Sequence, residues 1–157
     1  MKIKFILSGK TQESYIREGI QFYYKKLNHY TSFEMIEIAE LKNTKNLEQE
    51  SIKLKEGELI LQQIKAGELV VLLDDKGKEF NSLDFAQHIE KKRLQSVRYL
   101  TFVIGGAYGF SASVYERADE KLSLSKMTFS HQIIRLIFLE QLYRAFSILN
   151  NEPYHHQ

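Results

Sequence analysis

The chain has no cysteine and only one proline in 157 residues. Without thiols there is no disulfide framework and no thiolate metal site, and no metal is expected. The single proline, Pro153, marks a point that the last helix does not pass. No apolar run approaches the ~20 residues of a membrane-spanning helix. The opening MKIKFILSGK turns polar too soon for a signal peptide. Charge of neither sign dominates: 22 Lys and Arg against 20 Asp and Glu leave a net +2, which excludes the broad basic excess of a typical DNA-binding domain. Nucleic acid would have to be met through local clusters. These are Lys2, Lys4 and Lys10, then Lys25, Lys26 and His29, then Lys91, Lys92 and Arg93. Each cluster by itself reads first as solvated surface. Together the absences favour a cytoplasmic protein with no membrane contact.

What is present is one domain's worth of chain, residues 1–157, at the usual ~150 residues per domain. Strand and helix patterns alternate along it. Residues 3–7, 33–38, 69–73, 99–104 and 122–124 read as strands. Residues 11–29, 52–64, 83–94 and 131–149 have helical spacing, with Ser82 as an expected cap. Ser111 or Ser113 is expected to cap a short helix through Arg117. Asp74-Asp-Lys-Gly77 reads as a turn after the run Leu69-Val-Val-Leu-Leu73. The repetition predicts an α/β fold, a mostly parallel sheet with helices on both faces.

In open α/β sheets, ligands bind outside the carboxyl ends of the strands. Three such ends carry chemistry. Leu73-Asp74 is one. Ile104-Gly-Gly-Ala-Tyr-Gly109 is the second, with glycines that let a ligand approach main-chain groups. Its spacing is neither the dinucleotide fingerprint nor a phosphate P-loop, so a tight structural turn explains it equally well. The third is Leu124-Ser-Lys-Met-Thr-Phe129. Its hydroxyls either cap the last helix or shape a loop whose backbone amides and carbonyls read a purine edge.

The last helix has apolar residues around its whole circumference, which predicts burial on one face against the sheet and on another against a second copy of the chain. At ~100° per residue, His131 and Arg135 share a sector. A buried arginine needs an anionic partner. Glu140 or Glu116 supplies it on a structural reading; a ligand phosphate or a developing negative charge supplies it on a functional one.

The ordered set VIGGAYG, LSLSKMTFSHQIIR, LEQLYRAFSI and NNEPYHH, with MKIKFILSGK and KEGELIL upstream, resembles the ribosomal RNA large-subunit methyltransferase H family of the SPOUT superfamily. The resemblance spans essentially the whole chain. It implies a C-terminal trefoil knot, a homodimer built on it, and S-adenosylmethionine as cofactor. It also implies methylation of N3 of a pseudouridine in 23S rRNA on the assembled ribosome. By motif position, Leu73, Gly105 and the loop Leu124, Ser125, Lys126, Met127, Thr128 and Phe129 are expected to hold the cofactor. Arg135 or Arg144 is expected to stabilise an anion or bind phosphate, His131 or His155 to take a proton, and Tyr154 to stack on the base. The tail is expected to lie near the partner's pocket. Where family members often have proline, this chain has Ser130. The competing expectation is a non-catalytic nucleotide- or RNA-binding dimer on the same sheet.

Overall fold

A computed structural model describes residues 1–155. Five strands and five helices alternate. They are β1 (Lys2–Ser8), α1 (Ser14–Leu27), β2 (Ser32–Ile38), α2 (Gln49–Gln62), β3 (Leu69–Glu79), α3 (Ser82–Leu94), β4 (Tyr99–Ile104), α4 (Ala112–Arg117), β5 (Glu120–Ser123) and α5 (Ile133–Leu149). The strands form one sheet in the order β2-β1-β4-β3-β5, and every pairing is parallel.

Parallel strands covered by helices are buried on both faces, and β1 and β4 are buried at every position but their first. Ile3, Phe5 and Leu7 point to one face, where α1, α3 and α5 pack. The Phe138 ring of α5 sits 4.8 Å from Phe5 and 4.7 Å from Phe102. Each such aromatic contributes about 1.5–3 kcal/mol by burial. Ile6, Val70, Leu72 and Val103 point to the other face, under Ile60 of α2 and Val114 of α4. The alternation also buries Lys4 on that side. Its ammonium meets Glu68 at 2.6 Å and the Gln63 carbonyl at 2.9 Å, and Thr101 donates to the same carboxylate at 2.7 Å.

Several boundaries differ from the sequence reading, and five of the differences have a local reason. α1 starts at Ser14 because Thr11 and Gln12 are engaged elsewhere, by Glu37 and by Gln132. The expected turn at Asp74 does not end β3. Asp74 Oδ1 accepts from the Lys76 amide at 2.8 Å, an Asx turn, and the strand resumes. Both Leu73 and Lys78 pair with Leu122, so the intervening residues form a bulge. Asn81 rather than Ser82 caps α3, accepting from the Asp84 amide at 2.8 Å. β5 runs from Glu120 to Ser123, earlier than expected. Finally, α5 begins at Ile133, where Ser130 Oγ accepts the Ile133 amide at 3.3 Å. His131 is therefore outside the helix and does not share a helical sector with Arg135. The cap on α4 is Ser111, one of the two serines expected.

Candidate functional site

The carboxyl ends of β3, β4 and β5 open onto a cleft of about 540 Å³. Three chain segments wall it. The bulge of β3 supplies Leu73 and Asp74, the glycine loop supplies 105–109, and the segment leaving β5 supplies Leu124, Ser125 and 127–131.

The glycine loop is a tight turn. Gly109 donates to the Gly106 carbonyl at 3.1 Å, and Gly109 has φ +81, which L side chains rarely adopt. Gly105 has little room behind it: a Cβ there would stand 3.1 Å from the Phe110 ring. The absent side chains leave main-chain groups open to the cleft.

The segment after β5 is held by its own hydroxyls. Ser123 Oγ donates to the Ser125 carbonyl at 3.0 Å, and Ser125 Oγ accepts the Met127 amide at 2.9 Å. Among these hydroxyls the helix-capping part falls to Ser130, while Ser123 and Ser125 shape the loop. Met127 is 77% exposed.

Of the residues expected to hold a cofactor, Leu73, Gly105, Leu124, Ser125, Met127, Thr128 and Phe129 line the cleft. Lys126 is exposed and is not among the lining residues. His131 lines it, at the end next to α5. Tyr108 and Tyr115 line it too; Tyr115, which no sequence motif marks, is brought in by the return of α4. The Tyr115 hydroxyl donates to Asp74. Burial acts to raise the Asp74 pKa, but the bonds from Tyr115 and the Lys76 amide outweigh it and hold the carboxyl below its ordinary value. The Tyr115 phenol is pushed up to about 12 by burial and by that same carboxylate.

Arg135 lies away from the cleft lining. It is fully buried, and its partners are neither Glu140 nor Glu116. The guanidinium donates to the carbonyls of Ser8 at 2.8 Å, Gly9 at 3.1 Å and His131 at 2.9 Å, and to Thr11 Oγ1 at 3.0 Å. Burial lowers its pKa against the more distant pull of Glu37 and Glu40. The arginine thus ties the end of β1 to the start of α5, directly behind the segment that walls the cleft.

Arg144, Tyr154 and His155 form a separate group at the far part of α5. Arg144 pairs with Glu140 at 2.6 Å, lies 4.8 Å over the Tyr154 ring, and stands 3.4 Å from His155 Nδ1. The Tyr154 hydroxyl is 3.1 Å from Glu140 and 3.2 Å from Tyr23, and burial followed by these neighbours raises its pKa. None of the three lines the cleft of its own chain. Residues 156 and 157, the end of the tail expected near the partner's pocket, lie outside the described residues.

A nucleotide-sized cleft at the carboxyl ends of a parallel sheet, walled by a glycine turn and an exposed loop, limits the class. The family model described as "Predicted SPOUT methyltransferase" matches residues 1–155. Members of that class take their methyl group from S-adenosylmethionine. The particular family follows from relatives that align over the full length of both chains. Those from Parabacteroides distasonis, Phocaeicola vulgatus and Christiangramia forsetii are 57%, 55% and 54% identical over 157 residues, and each is named "Ribosomal RNA large subunit methyltransferase H". The chain belongs to this family.

Proposed function

We propose that the protein methylates N3 of a pseudouridine in 23S rRNA within the assembled ribosome. In this reading it works in the cytoplasm as a homodimer, with the C-terminal part of the chain threaded as a trefoil knot. The observation that carries the reading is the cleft. Its volume is within the ~300–1,000 Å³ of small-molecule sites and its walls mix main-chain groups with Tyr108, Tyr115 and Phe129. These features fit a nucleoside with a charged amino-acid arm.

The cofactor supplies an electrophilic methyl carried on a sulfonium. Leu73, Gly105 and the main chain of Leu124, Ser125, Met127, Thr128 and Phe129 would hold and orient it. Fixing donor and acceptor in line contributes about 7–11 kcal/mol toward the barrier. The N3 imide is protonated at neutral pH, so its proton leaves before or during attack. His131 at the cleft edge, or His155 from a partner's tail, accepts it. Arg144 offsets the resulting negative charge or holds a phosphate, and Tyr154 stacks on the base. Because Arg144, Tyr154 and His155 lie away from the cleft of their own chain, this role belongs to them only across a subunit boundary. Arg135 acts by fixing the end of β1 against α5.

The test is transfer of labelled methyl from S-adenosylmethionine to ribosomes lacking the modification, beside free 23S RNA, with the labelled nucleotide mapped. Label at a pseudouridine N3 in ribosomes alone is expected. Cofactor binding without transfer would instead favour the non-catalytic nucleotide- or RNA-binding reading.

A further inference from the structure

Behind the glycine loop, on the side away from the cleft, stands Glu56 of α2. Two observations make its position unusual. A Cβ built at Gly106 would lie 2.5 Å from Glu56 Oε2 and 2.8 Å from Oε1, so the carboxylate is packed against the bare main chain of the loop. Oε2 is also buried and has no hydrogen-bond partner among the described residues. Buried carboxylate oxygens without a donor are rare in native structures and call for an explanation. Burial raises the Glu56 pKa, with hydrogen bonding by Ser8 opposing the rise.

The helix is brought this close by its own sequence. Gly57 follows Glu56, and a Cβ there would stand 3.0 Å from Ser111 Cβ. Ser111 is the cap of α4 and follows the glycine loop by two residues. Gly57 therefore lets α2 seat against one end of the loop segment, while Glu56 reaches under its middle. On the opposite side, Gly105 and Gly106 face the cleft.

We propose that Glu56 is a positioning residue for the cofactor. Its unpaired oxygen accepts a main-chain N–H of the glycine loop when the loop takes up the cofactor, and so fixes the cleft wall from behind. The proposal rests on the reading of the cleft as the S-adenosylmethionine site. Glu56 touches neither cofactor nor RNA. Its loss acts on cofactor affinity and leaves ribosome recognition alone.

Calorimetric titration of S-adenosylmethionine into the full-length protein tests this. Glu56→Ala is expected to weaken binding by about tenfold, the worth of one hydrogen bond to a charged group. Glu56→Gln keeps an acceptor of the same reach and is expected to stay within about threefold of wild type, at most about half of that free energy. The KM for ribosomes stays unchanged in both. Gly106→Ala weakens binding alone, and less so in the Glu56→Ala background, because the added methyl collides with the carboxylate. Should Glu56→Ala fail to fold, Glu56→Asp carries the same expectation by retracting the carboxylate one methylene. Wild-type affinity in Glu56→Ala, or a Glu56→Gln loss as large as that of alanine, overturns the proposal. Absence of binding by the wild-type protein would instead remove the reading of the cleft.

Discussion

Arg135 has no solvent exposure and, among the described residues, no carboxylate within bonding reach; main-chain carbonyls and one hydroxyl take its donors. Replacing it with methionine leaves those acceptors inside the protein without donors, at ~1–3 kcal/mol for each one that water cannot reach. Arg135→Met is therefore expected to lose at least about 3 kcal/mol of stability by urea denaturation. A variant that unfolds like wild type yet loses turnover would return the arginine to a direct chemical role. The sequence marked this residue as one needing an explanation, because a buried charge always does. It did not identify the partners. Carbonyl oxygens belong to every residue and leave no signature, so a reading by side-chain charge turned to Glu140, which is taken by Arg144. Leu73, Gly105 and most of the loop after β5 were legible because a motif carries them. Tyr115 was not, since its place depends on how α4 returns over the bulge of β3.

Among the elements, β3 shows what periodicity conveys and what it omits. Its apolar run gives the buried half. The resumption after Asp74 depends on one glycine, because a Cβ on Gly77 would lie 2.5–2.7 Å from the main chain of Lys121 and Leu122. Main chain in mid-sheet cannot step aside as a side-chain tip can. Gly77→Ala is expected to cost about 1–3 kcal/mol, as overpacking does, and to loosen the Asp74–Tyr115 contact. Thermal unfolding measures the first effect. A spectrophotometric tyrosine titration reads the second as a fall from about 12 for Tyr115. An unchanged melting point would mean that the bulge accommodates the methyl. The helices were legible in number and order, while several of their ends moved, by up to three residues. Neighbouring candidates such as Asn81 and Ser82 are chemically alike, and only the backbone geometry decides which one reaches an amide.

For the whole molecule, composition and alternation were enough for the class of fold, five parallel strands between two layers of helices. They carry nothing about threading, since a knot is a property of the path and leaves burial patterns as they are. The second face of α5 bears on assembly. Ile133, Ile137, Arg144 and Ile148 share one side of the helix by their spacing and are all half-buried, so each keeps surface that the sheet does not cover. Covering that side with a second copy would remove apolar surface from water. Sedimentation is expected to find a dimer at micromolar concentration and a monomer for Ile137→Glu. A stable wild-type monomer would remove the dimer from the proposed function.

The strand order has a consequence for how the chain comes into being. β1, the first strand to be synthesised, lies between β2 and β4, so one edge of it waits for residues 99–104. Its last carbonyls wait longer still, for an arginine near the other terminus. Contacts of such long sequence separation close slowly. Residues through Arg135 must emerge before that strand is satisfied at its end. A nascent chain stopped before Arg135 would therefore hold a central strand with its end undone.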